Sequence, residues 1–192
     1  LKGERKSRRR GSSVEFAEHR NYTVGDDLRH IDWSVYARLD RLFLKLFLEE
    51  EDLHVHTLLD TSASMDFGNP TKLFHAKQIA AALAFIGLVN QDRLILETFS
   101  SRLESGLPGV RGRSQMYRIV EYLDRLKPTG ESDLTAAARD FAIRHSGKGI
   151  VVVISDFLDK RGYESAFRYL LARQFDVYVI HVLSREEIEP RL

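Results

Sequence analysis

The chain has 192 residues, 30% charged and 43% hydrophobic, with a formal net charge of +1. That length supports one sizeable core, or a core plus a small appendage, and the composition excludes intrinsic disorder. The absence of cysteine excludes disulfides, thiolate metal sites and cysteine nucleophiles, and the near-neutral charge argues against a protein built around nucleic acid or an anionic membrane.

Residues 1–20 begin with Lys2, Arg5, Lys6, Arg8, Arg9 and Arg10, followed by Gly11-Ser12-Ser13 rather than the apolar run of a signal peptide. The basic start of this stretch reads as a poorly ordered, solvated flank, with a grip on nucleic acid or an anionic membrane as the alternative. Residues 21–40 are rich in charge and turn formers and hold the single tryptophan, Trp33. Residues 41–47 alternate as a strand does, Leu42, Leu44 and Leu46 against Phe43, Lys45 and Phe47. An acidic run, Glu49-Glu50-Glu51-Asp52, leads into a second strand over 53–59.

Asn69 and Pro70 stand where an N-cap and a first helical residue belong, and residues 71–89 have the apolar spacing of a buried helix. Residues 93–99 read as a strand, with 102–107 as its antiparallel hairpin partner. A helix running from Met116 to Leu126 ends before Pro128 and Gly130, and another over 133–145 is stopped by Gly147. Residues 150–154 form a continuous β-branched run typical of a strand covered on both faces, 163–173 a helix, and 177–183 the last strand. Strands alternating with helices imply crossover connections, hence an α/β fold with a mainly parallel sheet flanked by helices, preceded by an irregular N-terminal segment with a strand. The expected division is 1–52 and 53–192.

The longest apolar stretch, 79–89, falls short of the roughly 20 residues that cross a bilayer, so no membrane span and a cytoplasmic location are expected. The chain starts at Leu1 and stops soon after a strand. A fragment of a longer protein is therefore expected, and an anchor outside it stays open.

In an open α/β sheet, ligands bind beyond the carboxyl ends of the strands, where strand order reverses. Two such ends carry aspartate: Leu58-Leu59 delivers Asp60-Thr61-Ser62-Ala63-Ser64, and Val153-Ile154 delivers Ser155-Asp156. Between them in sequence, a turn reads Thr129-Gly130-Glu131-Ser132-Asp133. If the two strands are neighbours, Asp60 and Asp156 meet the hydroxyls of Ser62, Ser64 and Ser132, an oxygen set suited to a hard divalent cation. The competing reading makes Asp60 a turn former, as aspartate and serine often are at strand-to-helix loops.

Asp60-x-Ser62-x-Ser64 resembles the opening of the metal-ion-dependent adhesion site of von Willebrand factor A domains, which are Rossmann-like. Ser132 falls at that family's threonine position and Asp156 at its second aspartate. The resemblance implies Mg²⁺ or Mn²⁺ on Ser62, Ser64 and Ser132, with Asp60 and Asp156 acting directly or through water and a partner's carboxylate at an open position. This chain departs from the pattern in its serine at 132 and in Glu131, where glycine is frequent. Upstream, Glu15-Phe16-Ala17-Glu18-His19-Arg20-x-Tyr22 and Gly25-Asp26-Asp27-x-Arg29-x-Ile31-Asp32-Trp33 resemble the signature of the bacterial domain-of-unknown-function 58 family. That resemblance implies a MoxR-type AAA+ ATPase as partner and a von Willebrand factor A-like domain that here lacks its last strand and helix.

Two readings of the upstream segment stand. Arg20, Asp26, Asp27, Arg29, Asp32 and Arg38 make an ion-pair network that holds an irregular loop, or Trp33 and Tyr36, with Arg29, form a docking surface. His54 and His56 share a strand face and read as packing residues, with a transition-metal site as the alternative. No Walker-type phosphate loop and no Gly-x-Ser-x-Gly elbow occurs. An aspartyl-phosphate phosphatase needs a second carboxylate two residues after its nucleophile, where Ser62 stands. The expectation is therefore a non-catalytic, metal-dependent interaction module, an adaptor between a MoxR-type AAA+ ATPase and a client protein offering a carboxylate, with no nucleic-acid partner. A Mg²⁺-dependent phosphohydrolase using Asp60 is the alternative.

Overall fold

The computed structural model describes residues 14–49, 53–104, 106–146 and 149–189. The basic start, most of the acidic run and the Gly147 stop lie outside the described residues. The chain divides into two compact units, Leu1–Asp52 and Leu53–Leu192.

The first unit is a two-stranded antiparallel sheet with a short helical insert. Strand β1 (Val14–Asn21) pairs with β2 (Phe43–Glu49), from Val14 opposite Glu49 to Asn21 opposite Phe43. Residues 14–20, for which the sequence indicated no element, are therefore a strand; its partner lies more than twenty residues away, beyond the reach of local periodicity. The segment between them is not wholly irregular. A 3-10 turn (Leu28–His30) leads into helix α1 (Trp33–Leu39), whose N-cap Asp32 accepts the Ser34 and Val35 N–H groups.

The second unit is a five-stranded sheet in the order β5-β4-β3-β6-β7, built from β3 (His54–Asp60), β4 (Arg93–Phe99), β5 (Leu107–Val110), β6 (Ile150–Ser155) and β7 (Asp176–His181). All neighbours are parallel except β4 and β5. Helices α2 (Lys72–Val89) and α3 (Met116–Arg125) accompany one core cluster, in which Leu59, Ala76, Leu88, Leu96, Ile119 and Ile154 are buried. Helices α4 (Leu134–Arg144) and α5 (Glu164–Ala172) accompany the other, with Leu58, Phe99, Phe141, Val153 and Leu170. Adjacent residues Leu58 and Leu59 thus enter different clusters, as pleating requires. Each fully buried side chain of this size contributes about 1.5–3 kcal/mol.

Three local expectations need correction. The hairpin partner of β4 is Leu107–Val110, not 102–107: Leu103 makes one isolated bridge to Phe99, and Gly106 must then lie against Leu96, where a Cβ would stand 1.8 Å from the Leu96 carbonyl oxygen. Thr71, not Asn69, caps α2, its Oγ1 accepting the Phe74 N–H at 3.2 Å, while Asn69-Pro70 is a cis peptide in the preceding turn. Helix α2 begins at Lys72 and is buried only along Lys72, Leu73, Ala76, Ala80, Ala84, Gly87 and Leu88; Phe74, Phe85, Ile86 and Val89 are exposed. At 18 residues, α2 is also the one helix among the described residues long and apolar enough to cross a bilayer, although its inner stripe covers the sheet.

Candidate functional site

Strands β3 and β6 are hydrogen-bonded neighbours, and from β3 the chain runs first to one side of the sheet (β4) and later to the other (β6). The carboxyl ends of β3 and β6 therefore form the switch point, where Asp60 and Asp156 emerge side by side. The 129–130 loop is stitched to the loop after β3 by two backbone bonds, Thr129 N–H to Thr61 O at 2.7 Å and Ala63 N–H to Gly130 O at 2.8 Å. Gly130 adopts φ +66°, a left-handed conformation that favours glycine. This stitching delivers Ser132 to Asp60.

Every sequence-predicted oxygen ligand converges here. Asp60 is fully buried; its Oδ1 accepts the Ser62 N–H at 2.8 Å, and its Oδ2 accepts the Ser155 hydroxyl at 2.5 Å and that of Ser132 at 3.4 Å. The Ser62 and Ser64 hydroxyl oxygens stand 3.0 Å apart, and Ser64 also hydrogen-bonds Asp156. Asp156 accepts the Leu158 N–H at 3.1 Å. Between the two, Phe157 is held at φ +52°, a conformation costing about 1–3 kcal/mol of the kind that collects at functional sites.

Sequence reasoning missed Lys72, Glu187 and Ser155. Lys72, 1% exposed, donates from Nζ to Asp156 Oδ2 at 2.8 Å and to Glu187 Oε1 at 2.6 Å. A signal existed: Lys72 is the first residue of α2, where the helix dipole disfavours a cation, so its placement there calls for a carboxylate partner. Glu187 belongs to helix α6 (Arg185–Ile188) and closes a capping box with Ser184, a Ser-x-x-Glu pattern readable in the sequence.

The two aspartates differ electrostatically. Burial pushes the Asp60 carboxyl above its ordinary value against the bonds from Ser155 and Ser62, and the neighbouring Asp156 charge adds to the rise. Burial also acts on Asp156, but hydrogen bonds from Lys72, Ser64 and Leu158 outweigh it and hold that carboxyl low. Lys72 is held correspondingly high: burial opposes its charge, and Asp156 and Glu187 overcome it.

These residues fit a small divalent cation. Octahedral Mg²⁺, with bonds of about 2.0–2.1 Å, places adjacent oxygens about 2.9 Å apart, close to the 3.0 Å between Ser62 and Ser64. With Asp60, Asp156 and Glu187 ionised, Lys72 compensates one of three charges and two remain. Asp60 has only neutral hydrogen-bond donors around it.

The residues expected to dock a partner lie in the first unit. Trp33 is 61% exposed and meets Tyr36 edge-on at 6.1 Å; Arg29 is paired with Asp27 at 2.6 Å. Arg20 meets Asp26 at 2.7 Å and Asp32 engages His19 and Lys45, while among the described residues Arg38 donates to the Ser34 carbonyl and joins no carboxylate. Because Trp33 is so exposed, Trp33→Ala is expected to change stability by no more than about 0.5 kcal/mol. A thermal melt that shows unfolding at ambient temperature would instead make Trp33 a packing residue.

Residues 18–190 match the sequence family described as Protein of unknown function DUF58. Uncharacterized protein Mb1516 of Mycobacterium bovis and uncharacterized protein Rv1480 of Mycobacterium tuberculosis are each 29% identical over 184 residues, or 93% of this chain. The chain spans 58% of the length of these curated relatives. Two solved structures share the fold. An aerotolerance-related membrane protein from Bacteroides fragilis superposes with a TM-score of 0.54 at 23% identity, over 68% of this chain and 67% of that one. Conserved hypothetical protein BatB from Bacteroides thetaiotaomicron gives 0.56 at 18% identity, over 67% and 66%.

Proposed function

The chain belongs to DUF58, a family whose name assigns no activity, and from that premise we propose that it is a non-catalytic, metal-dependent protein-interaction module of von Willebrand factor A-like fold. The observation that carries this reading is the convergence of Asp60, Ser62, Ser64, Ser132 and Asp156 at the ends of β3 and β6, around a buried carboxylate that no cationic group among the described residues pairs with. Ser62, Ser64 and Ser132 would hold Mg²⁺ or Mn²⁺, with Asp60 and Asp156 supplying charge directly or through water. When bound, the ion supplies a position for a carboxylate from another protein. The protein's own part is to keep the hydroxyls aimed by the stitched 61–63 and 129–130 loops and to hold Asp156 ionised through Lys72.

The proposed partners, by the family resemblance, are a MoxR-type AAA+ ATPase and a client offering an acidic side chain, with Trp33, Tyr36 and Arg29 as exposed contacts toward them. An ATPase of that kind draws on cytoplasmic ATP, which puts the proposed working face in the cytoplasm. The phosphohydrolase alternative is disfavoured because Ser62, whose hydroxyl cannot act as the general acid, stands two residues after Asp60.

Calorimetric titration of the chain with Mg²⁺ and Mn²⁺ is expected to show one saturable site that Ser62→Ala weakens at least about 10-fold. Capture of the ATPase is expected to need the metal and to fail with chelator. Complex formation indifferent to chelator would remove the ion from the function, and Mg²⁺-dependent turnover of a generic phosphate ester would favour the hydrolase.

A further inference from the structure

We propose that His56, Glu97 and His145 form a second cation site, suited to a borderline transition-metal ion, Zn²⁺ above all, and separate from the carboxylate cluster at the strand ends. His56 lies on β3 opposite Ile95 and Val151, and Glu97 lies on β4 opposite Leu58, the next residue of β3 on the same face. His145 is the C-cap of α4, which packs over that face through Phe141. One ligand atom from each residue lies within 4.8 Å of those of the other two. The His145 Nε2 to Glu97 Oε2 distance is 2.8 Å, and the His56 and His145 rings are 4.7 Å apart. Ligands bonded to tetrahedral Zn²⁺ at about 2.0–2.1 Å stand about 3.3 Å from one another, so the His145–Glu97 pair opens by about 0.5 Å while the longer separations close, both on the scale of a side-chain adjustment.

Two features point to an ion. His56 is 3% exposed, and its Nδ1 is one of only two buried side-chain polar atoms without a partner among the described residues. An unsatisfied buried nitrogen is costly, and such an orphan calls for an unseen partner. His56 also stands in an apolar wall, with Phe141 and Phe175 rings at 5.0 and 5.6 Å. Finally, two imidazoles and one carboxylate are the donor set of many zinc sites, whereas Mg²⁺ prefers oxygen throughout.

The local charges permit this. Arg144 approaches the other oxygen of Glu97, with Nη1 3.8 Å from Oε1, and its side chain is 44% exposed. It therefore leaves Oε2 to the ion and can swing outward. The His145 side chain, 22% exposed, marks the entry. His56 precedes Asp60 by four residues on β3, about 13 Å along the strand, so the two sites titrate independently.

Metal-stripped, untagged protein would be titrated with Zn²⁺ against a chromogenic chelator, and with Co²⁺ for the visible bands of a tetrahedral site. One equivalent is expected, together with a rise in melting temperature. His145→Ala and Glu97→Gln should each weaken binding more than about 10-fold, whereas Asp60→Asn should leave it unchanged. Because Glu97→Gln is isosteric and His145 is half-buried at a helix end, at least one variant retains the fold, checked by its melt without zinc. Absence of saturable binding, survival of binding in a folded variant, or displacement of Zn²⁺ by millimolar Mg²⁺ would overturn the site. Loss of zinc binding in Asp60→Asn would mean that the zinc sits at the strand ends instead.

Discussion

Replacing Lys72 with methionine is expected to destabilise the metal-free protein by about 3–5 kcal/mol, a fall in melting temperature of roughly 6–20 °C for a chain of this size. The methionine fills similar space, so the loss is electrostatic: Asp156 and Glu187 keep their charges in a buried setting and lose the ammonium at 2.8 and 2.6 Å. Removing the second carboxylate as well, in Lys72→Met with Glu187→Gln, is expected to recover part of the loss. Saturating Mg²⁺ is also expected to recover part of it, because a cation on the Asp156 side of the site replaces the missing charge. Equilibrium denaturation with and without Mg²⁺ measures both. A change below about 1 kcal/mol, or a metal effect no larger in the variant than in the parent, would show that the ammonium and the proposed ion act on different charges.

For Asp60→Asn the sign is reversed. The folded pKa of Asp60 lies above 3.8, so its contribution to stability is present below the unfolded value and is lost as pH rises through the folded one. At neutral pH the buried carboxyl therefore lowers the stability of the metal-free protein. Asparagine keeps an oxygen for the Ser62 N–H, and the rotatable hydroxyls of Ser155 and Ser132 can accept from its amide. The variant is expected to melt at or above the parent temperature without metal. The gain that Mg²⁺ gives the parent, about 2.7 kcal/mol at a hundredfold excess over Kd, or roughly 5–10 °C, should be absent. Asp156 works in the opposite window: its folded pKa is lowered, so its stabilisation is present above 3.8 and is lost as pH falls through the folded value. A pH series of melts resolves the two, the difference between parent and Asp60→Asn carrying the loss of stability above 3.8 that belongs to Asp60. A metal-free variant that melts well below the parent, or one that still gains from Mg²⁺, would rule out Asp60 as the carboxylate awaiting a cation.

The alternation of elements in the second unit was legible because each is written locally. The period-2 and continuous β-branched runs mark β3, β4 and β6 nearly to the residue, and Asp133 before an apolar run marks the start of α4. Strand β1 was not legible, since Val14–Asn21 follows a basic stretch and becomes a strand only by pairing with Phe43–Glu49. The offset of β5 depends on Gly106 fitting beneath the Leu96 carbonyl, a close approach that no pattern in the hairpin sequence records. The outward apolar residues of α2, Phe74, Phe85, Ile86 and Val89, made a half-exposed helix look buried from all sides.

By itself, then, the amino-acid order determined most of the strands and helices of the second unit, and that two strands end in aspartate, because hydrophobic period and capping are properties of near neighbours. Only the tertiary structure decided what surrounds those aspartates. Lys72 reaches Asp156 across 84 positions and Glu187 across 115, and His145 reaches Glu97 across 48. Such contacts leave no period in the sequence. They arise when strand order brings distant chain segments together, and burial then makes an unpaired charge or nitrogen costly enough to fix its partner.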